Sequence, residues 1–216
     1  MFRITLKHLR ARKLRLVTSG IAVLLGVAFV AGTMVLTATV TRSFGNLFSD
    51  VFAGTDASVR AEEPFDADEE GPGSTRPRID ASLLQEVEAV DGVEAAEGSV
   101  FGFSLIVGED GEPVGEGMGP PTFGGSWSRN ERLNTWDIRD GRSPAAEDEV
   151  IIDARSADLG DLTVGDRTKV LTQAGPIDVT VVGIATFGDY DSAGGSTFAG
   201  FTLEAAQRYL AEPGKF

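Results

Sequence analysis

The chain contains two regions that differ in their pattern of hydrophobic and polar residues. Between Arg15 and Arg42 lie 26 residues without a charge, and residues 17–40 are apolar all round. As a helix rising 1.5 Å per residue, these 24 residues span about 36 Å, enough to cross a hydrocarbon layer of about 30 Å with some tilt. Buried helices of globular proteins are normally shorter and amphipathic. The pattern therefore predicts a transmembrane helix.

A cleaved signal peptide is the alternative interpretation of this segment. The apolar part of a signal peptide runs about 7–15 residues and ends at a small-x-small cleavage site. The run here is much longer, and Ala38, Thr39 and Val40 do not supply an A-x-A ending. We therefore expect an anchor that is retained in the protein.

Charge divides the chain at nearly the same place. Residues 1–45 carry seven Lys and Arg and no acidic residue (+7), whereas the remaining 12 basic and 33 acidic residues leave −21 over residues 46–216. Six basic residues precede the apolar run and one follows it, so the positive-inside rule places the N-terminus in the cytoplasm and the rest outside. The basic residues nearest the membrane are taken to set this topology: Arg10, Arg12, Lys13 and Arg15.

The basic segment and the predicted span each suggest a contact. Cations before the span suit an interfacial segment that meets the anionic lipids of the inner leaflet. Within the span, Ala22 and Gly26 form one small-xxx-small pair, and Ala28 and Gly32 form another. Such pairs let a second helix approach closely. Apolar spans are rich in Ala and Gly by default, so both a packing face and plain composition remain open.

After residue 42 the pattern changes to short, mixed elements. Residues 43–53 have the spacing of an amphipathic helix, and residues 54–61 resemble a short strand. A further helix is predicted after Asp80, which would cap it, with Leu83, Val87 and Val90 on its buried face. Residues 92–107 are predicted to be extended, with a hairpin turn at Asp110-Gly111, and residues 112–128 give few regular signals.

The last third of the chain gives the clearest predictions. Short strands and helices follow one another without a regular β-α-β rhythm, which indicates an α+β domain. We accordingly divide the chain into a cytoplasmic segment (1–16), a transmembrane helix (17–40) and an extracytoplasmic α+β domain (41–216). The predicted elements are strands at 149–153, 167–171, 177–187 and 197–201, a helical turn at 154–159, and a helix at 202–210 capped by Thr202.

Composition excludes several kinds of chemistry. The absence of cysteine excludes disulfides, Cys-ligated metals and thiol nucleophiles, and the acidic balance excludes a nucleic-acid binder that neutralises phosphates. The chain has no Walker A motif, and its one histidine, His8, falls on the cytoplasmic side of the predicted span. Asp189 and Asp191 could form a carboxylate pair, although solvated loop carboxylates are the simpler interpretation. We expect no catalytic site, no metal and no cofactor.

Two stretches resemble ABC transporter permeases of the FtsX/MacB-like family. The first is residues 6–36, with basic residues, a Lys-Leu-Arg before the span and glycine within it. The second is residues 138–187, which is similar to the MacB-like periplasmic core domain. Its matching elements are Gly141-Arg142, Glu149–Asp153, Leu159-Gly160, Val164-Gly165-Asp166 and Val181-Val182-Gly183-Ile184.

The resemblance implies a membrane subunit that works with a separate cytoplasmic ABC ATPase and with a second permease subunit or permease half. It also implies an outer domain that transmits ATP-driven motion or handles substrate outside the cell membrane. Family permeases have at least four spans, whereas one apolar run is found here, so we expect the N-terminal part of a longer permease with an outer domain incomplete at its C-terminus. The alternative is a single-span anchored module that binds or senses a ligand outside the membrane.

Overall fold

The computed structural model describes residues 17–35, 55–62, 77–115 and 121–216. The chain divides into two units, residues 1–48 and residues 49–216. Each unit is described by itself below. The predicted amphipathic helix at 43–53 lies outside the described residues.

The first unit contains one apolar helix, α1, over Val17–Val35. These 19 residues have a mean hydropathy of 2.0, and none of them is buried. A helix of this length is about 28 Å long, close to the thickness of a hydrocarbon layer. By length and composition α1 is a candidate membrane span. It begins where the predicted span begins, and residues 36–40 lie outside the described part of the chain.

The second unit is built around a mixed sheet that closes on itself. The strand order is β1-β3-β8-β5-β7-β6-β2, with β4 paired to β7 beside this path. Because only Phe103 separates β1 from β2, the two strands are halves of one bent strand, and the two ends of the order meet there. The elements are α2 (Leu83–Glu88), β1 (Phe101–Gly102), β2 (Ser104–Ile106), β3 (Thr122–Ser126), β4 (Asp137–Gly141), β5 (Glu149–Asp153), α3 (Ala154–Leu159), β6 (Arg167–Thr172), β7 (Gly175–Thr186), β8 (Thr197–Phe201) and α4 (Leu203–Leu210).

Strand β7 contacts three other strands. Its first half pairs antiparallel with β6, its second half pairs antiparallel with β4, and along its other edge it pairs parallel with β5. The β6–β7 connection is a tight turn, and Gly175 enters β7 with a φ of +109° that suits glycine. From Val181 to Ala185 every residue of β7 is buried, so both faces of this part of the strand are covered and both carry apolar side chains.

The bent strand shows how the sheet separates its inner and outer faces. Val100, Ser104 and Ile106 are at most 1% exposed, whereas Phe101 and Phe103 between them are 58% and 48% exposed. This period of two places one set of side chains inside the closed sheet and the other outside. The interior contains one cluster of buried residues, among them Val150, Ile152, Val181, Ala199, Phe201, Ala205 and Leu210.

A second, aromatic cluster lies on the other side of β5 and β8. The ring of Trp136 stacks on Phe198 with centroids 4.4 Å apart and meets Phe187 edge-on at 5.2 Å. Ile151 and Trp127 belong to the same buried cluster. Strands β5 and β8 are therefore apolar on both faces, which is why Val150, Ile151 and Ile152 form an unbroken hydrophobic run in the sequence.

Most predictions for the last third of the chain are confirmed. The strand at Glu149–Asp153, the helical turn after it, the β6–β7 hairpin and the strand at Thr197–Phe201 all form. Thr202 caps α4, because its Oγ1 accepts a hydrogen bond from the Ala205 amide at 3.2 Å. The turn at Asp110-Gly111 is also confirmed, with Gly111 at a φ of +82°. The α+β fold class is correct.

Predictions for the middle of the chain fail in two places. Residues 55–62 contain no strand, because none of the described strands pairs with them. Helix α2 begins at Leu83 after Ser82, not directly after Asp80, and Val90 on its predicted buried face is 56% exposed. The Asp80 carboxylate instead accepts hydrogen bonds from the Ser82 amide at 3.1 Å and the Ser82 hydroxyl at 2.9 Å.

Two strands were not predicted. Strand β3 contains Gly124 and Gly125 and lies parallel to β8. It falls within residues 112–128, whose sequence gives few regular signals of secondary structure. All five residues of β4 are exposed, so their side chains show no alternation that a pattern could detect.

The glycine at position 183 allows a close approach between β7 and the chain around Arg142. A Cβ on Gly183 would lie far inside van der Waals contact with the carbonyl oxygen of Arg142 and would also meet the Ile151 side chain. We expect Gly183→Ala to lower the free energy of unfolding by about 3 kcal/mol, since backbone cannot easily move aside. As a control, Gly188→Ala places a Cβ in open space at a φ of +55°. That control should lose only about 1 kcal/mol. Equal losses in urea unfolding would contradict the proposed close approach.

Candidate membrane anchor and motif cluster

The small residues predicted to pack against another helix all lie on α1. Ala22 and Gly26 share one face, because residues four apart stack on a helix, and Ala28 and Gly32 share another. At about 100° per residue the two faces are about 120° apart, and Val27 points about 120° away from both. A Cβ added at Gly26 or Gly32 would meet no atom within 4 Å apart from the backbone of the helix itself.

The four basic residues predicted to set the topology lie outside the described residues. They are Arg10, Arg12, Lys13 and Arg15. Their role stays a prediction from the sequence.

In the second unit the motif segments converge on the second half of β7. The Arg142 amide donates to the Val182 carbonyl at 2.9 Å, immediately beside Gly183. Gly141 has a φ of +76°, and a Cβ there would fall against the Val182 carbonyl oxygen. Gly141-Arg142 and the Val-Val-Gly-Ile run lie 40 positions apart in the sequence. Their backbones therefore contact each other directly in the fold.

Arg142 also forms an ion pair with Glu149, at the start of β5. Its two terminal nitrogens meet the two carboxylate oxygens at 2.8 Å and 2.5 Å, a two-pronged pairing of guanidinium and carboxylate. One of these oxygens also accepts hydrogen bonds from the Ala145 and Ala146 amides at 2.8 Å and 3.2 Å. The hydrogen bonds from Arg142, and then from Ala145, lower the pKa of Glu149 to about 2. This pairing was not predicted from the sequence, although only seven positions separate its partners across the loop between β4 and β5.

Asp153, at the other end of β5, is fully buried. Its carboxylate accepts hydrogen bonds from the Phe198 amide of β8 at 2.7 Å, from the Ser156 amide at 3.1 Å and from the Ser156 hydroxyl. The bond from the Ser156 amide makes Asp153 the N-cap of α3. Burial raises the pKa of Asp153 to about 6, against the lowering effect of these hydrogen bonds. One side chain therefore connects β5, β8 and α3.

The Val-Gly-Asp motif forms the turn that leads into β6. The Asp166 carboxylate accepts hydrogen bonds from the Thr163 amide and hydroxyl, both at 2.8 Å, and these bonds lower the pKa of Asp166. Gly165 has a φ of +104°, and its amide donates to the Val181 carbonyl at 2.8 Å. This third motif also reaches the same part of β7.

The predicted carboxylate pair lies apart from this cluster. Asp189 and Asp191 are both exposed in the loop after β7, and Asp191 faces the Arg139 guanidinium at 3.5 Å. Within the described ranges no group of three or more His, Cys, Asp or Glu could hold a metal ion. The carboxylates of Glu149, Asp153 and Asp166 accept hydrogen bonds from backbone amides, and Glu149 also pairs with Arg142. These contacts stabilise the fold of the domain.

An apolar N-terminal helix, followed in the chain by a mixed, closed α+β sheet, indicates a membrane protein that carries a folded domain. The family model of the MacB-like periplasmic core domain matches residues 17–213, which include both the helix and the sheet. The chain belongs to this FtsX/MacB-like family of ABC transporter permeases. Compared with curated proteins, it has no match.

The buried carboxylate of Asp153 gives a testable pH dependence. Its pKa is raised in the folded state, so the folded protein binds the proton more tightly, and the resulting stability is lost as pH rises through about 6. Relative to Asp153→Asn, whose side chain does not titrate, the unmodified protein should lose about 2 to 3 kcal/mol of unfolding free energy between pH 4 and pH 7. Urea unfolding of both proteins across this range measures the difference. A constant difference between the two proteins would contradict this assignment, as would an unmodified protein that gains stability relative to Asp153→Asn as pH rises.

Proposed function

We propose that this chain is the N-terminal portion of an ABC transporter permease, whose outer domain couples to ATP-driven conformational change or handles substrate outside the membrane. The family match over residues 17–213 is the observation that carries the proposal. The fastened sheet supports it, because a domain that passes on movement must itself resist deformation. In this domain the segments that resemble family motifs hold neighbouring strands together.

The proposed topology follows from charge. Residues 1–16 form a basic cytoplasmic segment in contact with anionic lipid headgroups, residues 17–40 span the cell membrane, and residues 41–216 lie outside. The +7 of residues 1–45 and the −21 of residues 46–216 support this arrangement. The acidic domain would be repelled by an anionic membrane surface, while the basic segment would be attracted to it.

The proposed partners are a separate cytoplasmic ABC ATPase and a second permease subunit or permease half. The need for an ATPase is supported by the lack of a Walker A motif in this chain. The need for a second permease is supported by α1, whose two faces of small residues suit close helix packing.

Topology can be tested by labelling, because the chain contains no cysteine. Gln173→Cys lies in the exposed turn between β6 and β7, and His8→Cys lies in the basic segment. A membrane-impermeant maleimide should label Gln173→Cys in intact cells, and His8→Cys only after permeabilisation. Replacing the four basic residues nearest the span by Gln should lower labelling of Gln173→Cys, since it removes the charge bias. Labelling of His8→Cys in intact cells would contradict the topology.

Packing of α1 can be tested with a photo-crosslinking amino acid. Placed at Gly26 or Gly32 it should form an adduct with another membrane helix, identified by mass spectrometry, because both positions lie on small-residue faces. Placed at Val27, on the third face, it should react only with lipid. Lipid adducts alone at all three positions would contradict the permease proposal and favour a single-span binding module.

A further inference from the structure

Residues 77–97, which we call the strap, are attached to the rest of the domain mainly at their two ends. The strap contains α2 and leads to Gly98, where the chain enters the closed sheet. None of the residues of α2 is buried. Val90 and Val93 after it are 56% and 37% exposed. The strap thus buries little apolar surface, which is the main source of stability in a folded domain.

At its beginning the strap pairs with the last residues of the chain. Ile79 and Phe216 exchange two backbone hydrogen bonds of 3.0 Å, and the Ala81 amide donates to the Gly214 carbonyl at 2.9 Å. Between these pairs the Lys215 ammonium lies 3.2 Å from the Asp80 carboxylate. This short ribbon is the first fastening of the strap.

The second fastening lies near the end of the strap. Glu94 forms an ion pair with Arg132, and both side chains are more than two-thirds exposed, at 79% and 71%. Exposed pairs of this kind contribute little to stability. Glu97 accepts a hydrogen bond from the Arg129 amide at 3.1 Å and another from the Ser128 hydroxyl.

The closed sheet is held very differently. Its strands are joined by backbone hydrogen-bond ladders, and its interior side chains, such as Val150, Ile152 and Phe201, are fully buried. Opening the sheet would expose this core. Releasing the strap breaks three ribbon hydrogen bonds, the half-buried hydrogen bond of 2.7 Å from Arg78 to the Leu210 carbonyl, and a few other polar contacts. Local opening is governed by such differences in buried area.

We infer that the strap is a separately opening unit, which can detach from the closed sheet while the sheet stays folded. In chain order it stands between the membrane helix and the sheet, so its release would lengthen the connection between them. This inference rests on the proposed function for its purpose, namely a compliant connection between a moving anchor and a rigid outer domain. Its existence as a structural unit is independent of any transport partner.

Hydrogen exchange of the full chain in detergent micelles tests the inference. Amides of residues 79–93 should exchange at least about tenfold faster than those of β5, β7 and β8. A disulfide in Asp80→Cys/Lys215→Cys should close the ribbon. Residues 80 and 215 face each other between hydrogen-bonded pairs, where Cα atoms are about 4.5 Å apart and within disulfide range. Oxidation should slow strap exchange by at least about tenfold, and reduction should restore it.

Lys169→Cys/Asp178→Cys is the matched control, since it replaces another facing Lys–Asp pair, between β6 and β7. Its oxidation should leave strap exchange unchanged. Strap amides that exchange at the same rate as the sheet would overturn the inference, as would a locked ribbon that leaves their rate unchanged. Because these measurements need no ATPase or second permease, failure of the transport proposal would be seen separately, in the crosslinking of α1.

Discussion

Strand β7 is the element on which the outer domain depends. Its two edges contact β6, β4 and β5, and its backbone receives the three motif segments around positions 181–183. Such a strand cannot tolerate side-chain bulk where another backbone crosses it, so Gly141 and Gly183 stand at the crossing point. The closure of the sheet follows from the same arrangement. With β5 and β6 paired to the two edges of β7, the remaining strands close the sheet into a ring that leaves few unpaired strand edges. Unpaired edges favour aggregation.

This arrangement changes the meaning of the family's sequence motifs. Arg142, Glu149, Asp153 and Asp166 are residue types that often carry catalysis, yet each is engaged with backbone amides or with the opposite charge. We expect their removal to loosen the domain. This structural role is consistent with the proposal that the domain passes on ATP-driven movement.

The sequence predicts those parts of the fold in which local pattern and tertiary packing agree. Residues 149–153, the β6–β7 hairpin and the capped helix α4 carry their own periodicity and turn residues, and all were predicted. The closure of the sheet could not be predicted. It depends on a bend at Phe103, where one strand divides into halves that pair with partners distant in sequence. Burial of α2 was wrongly predicted for a related reason, since an apolar stripe shows what a helix could cover but not whether a partner is there.

The ionisable fastenings of the domain respond to acid in opposite directions. Lowered pKa values at Glu149, Asp166 and Asp80 mean that their contribution is present above their unfolded pKa and lost as pH falls. Asp153 contributes in the opposite sense, because its raised pKa favours the folded state as pH falls through about 6. Between about pH 6 and pH 4 the buried junction of β5, β8 and α3 therefore gains stability while the exposed fastenings are still ionised.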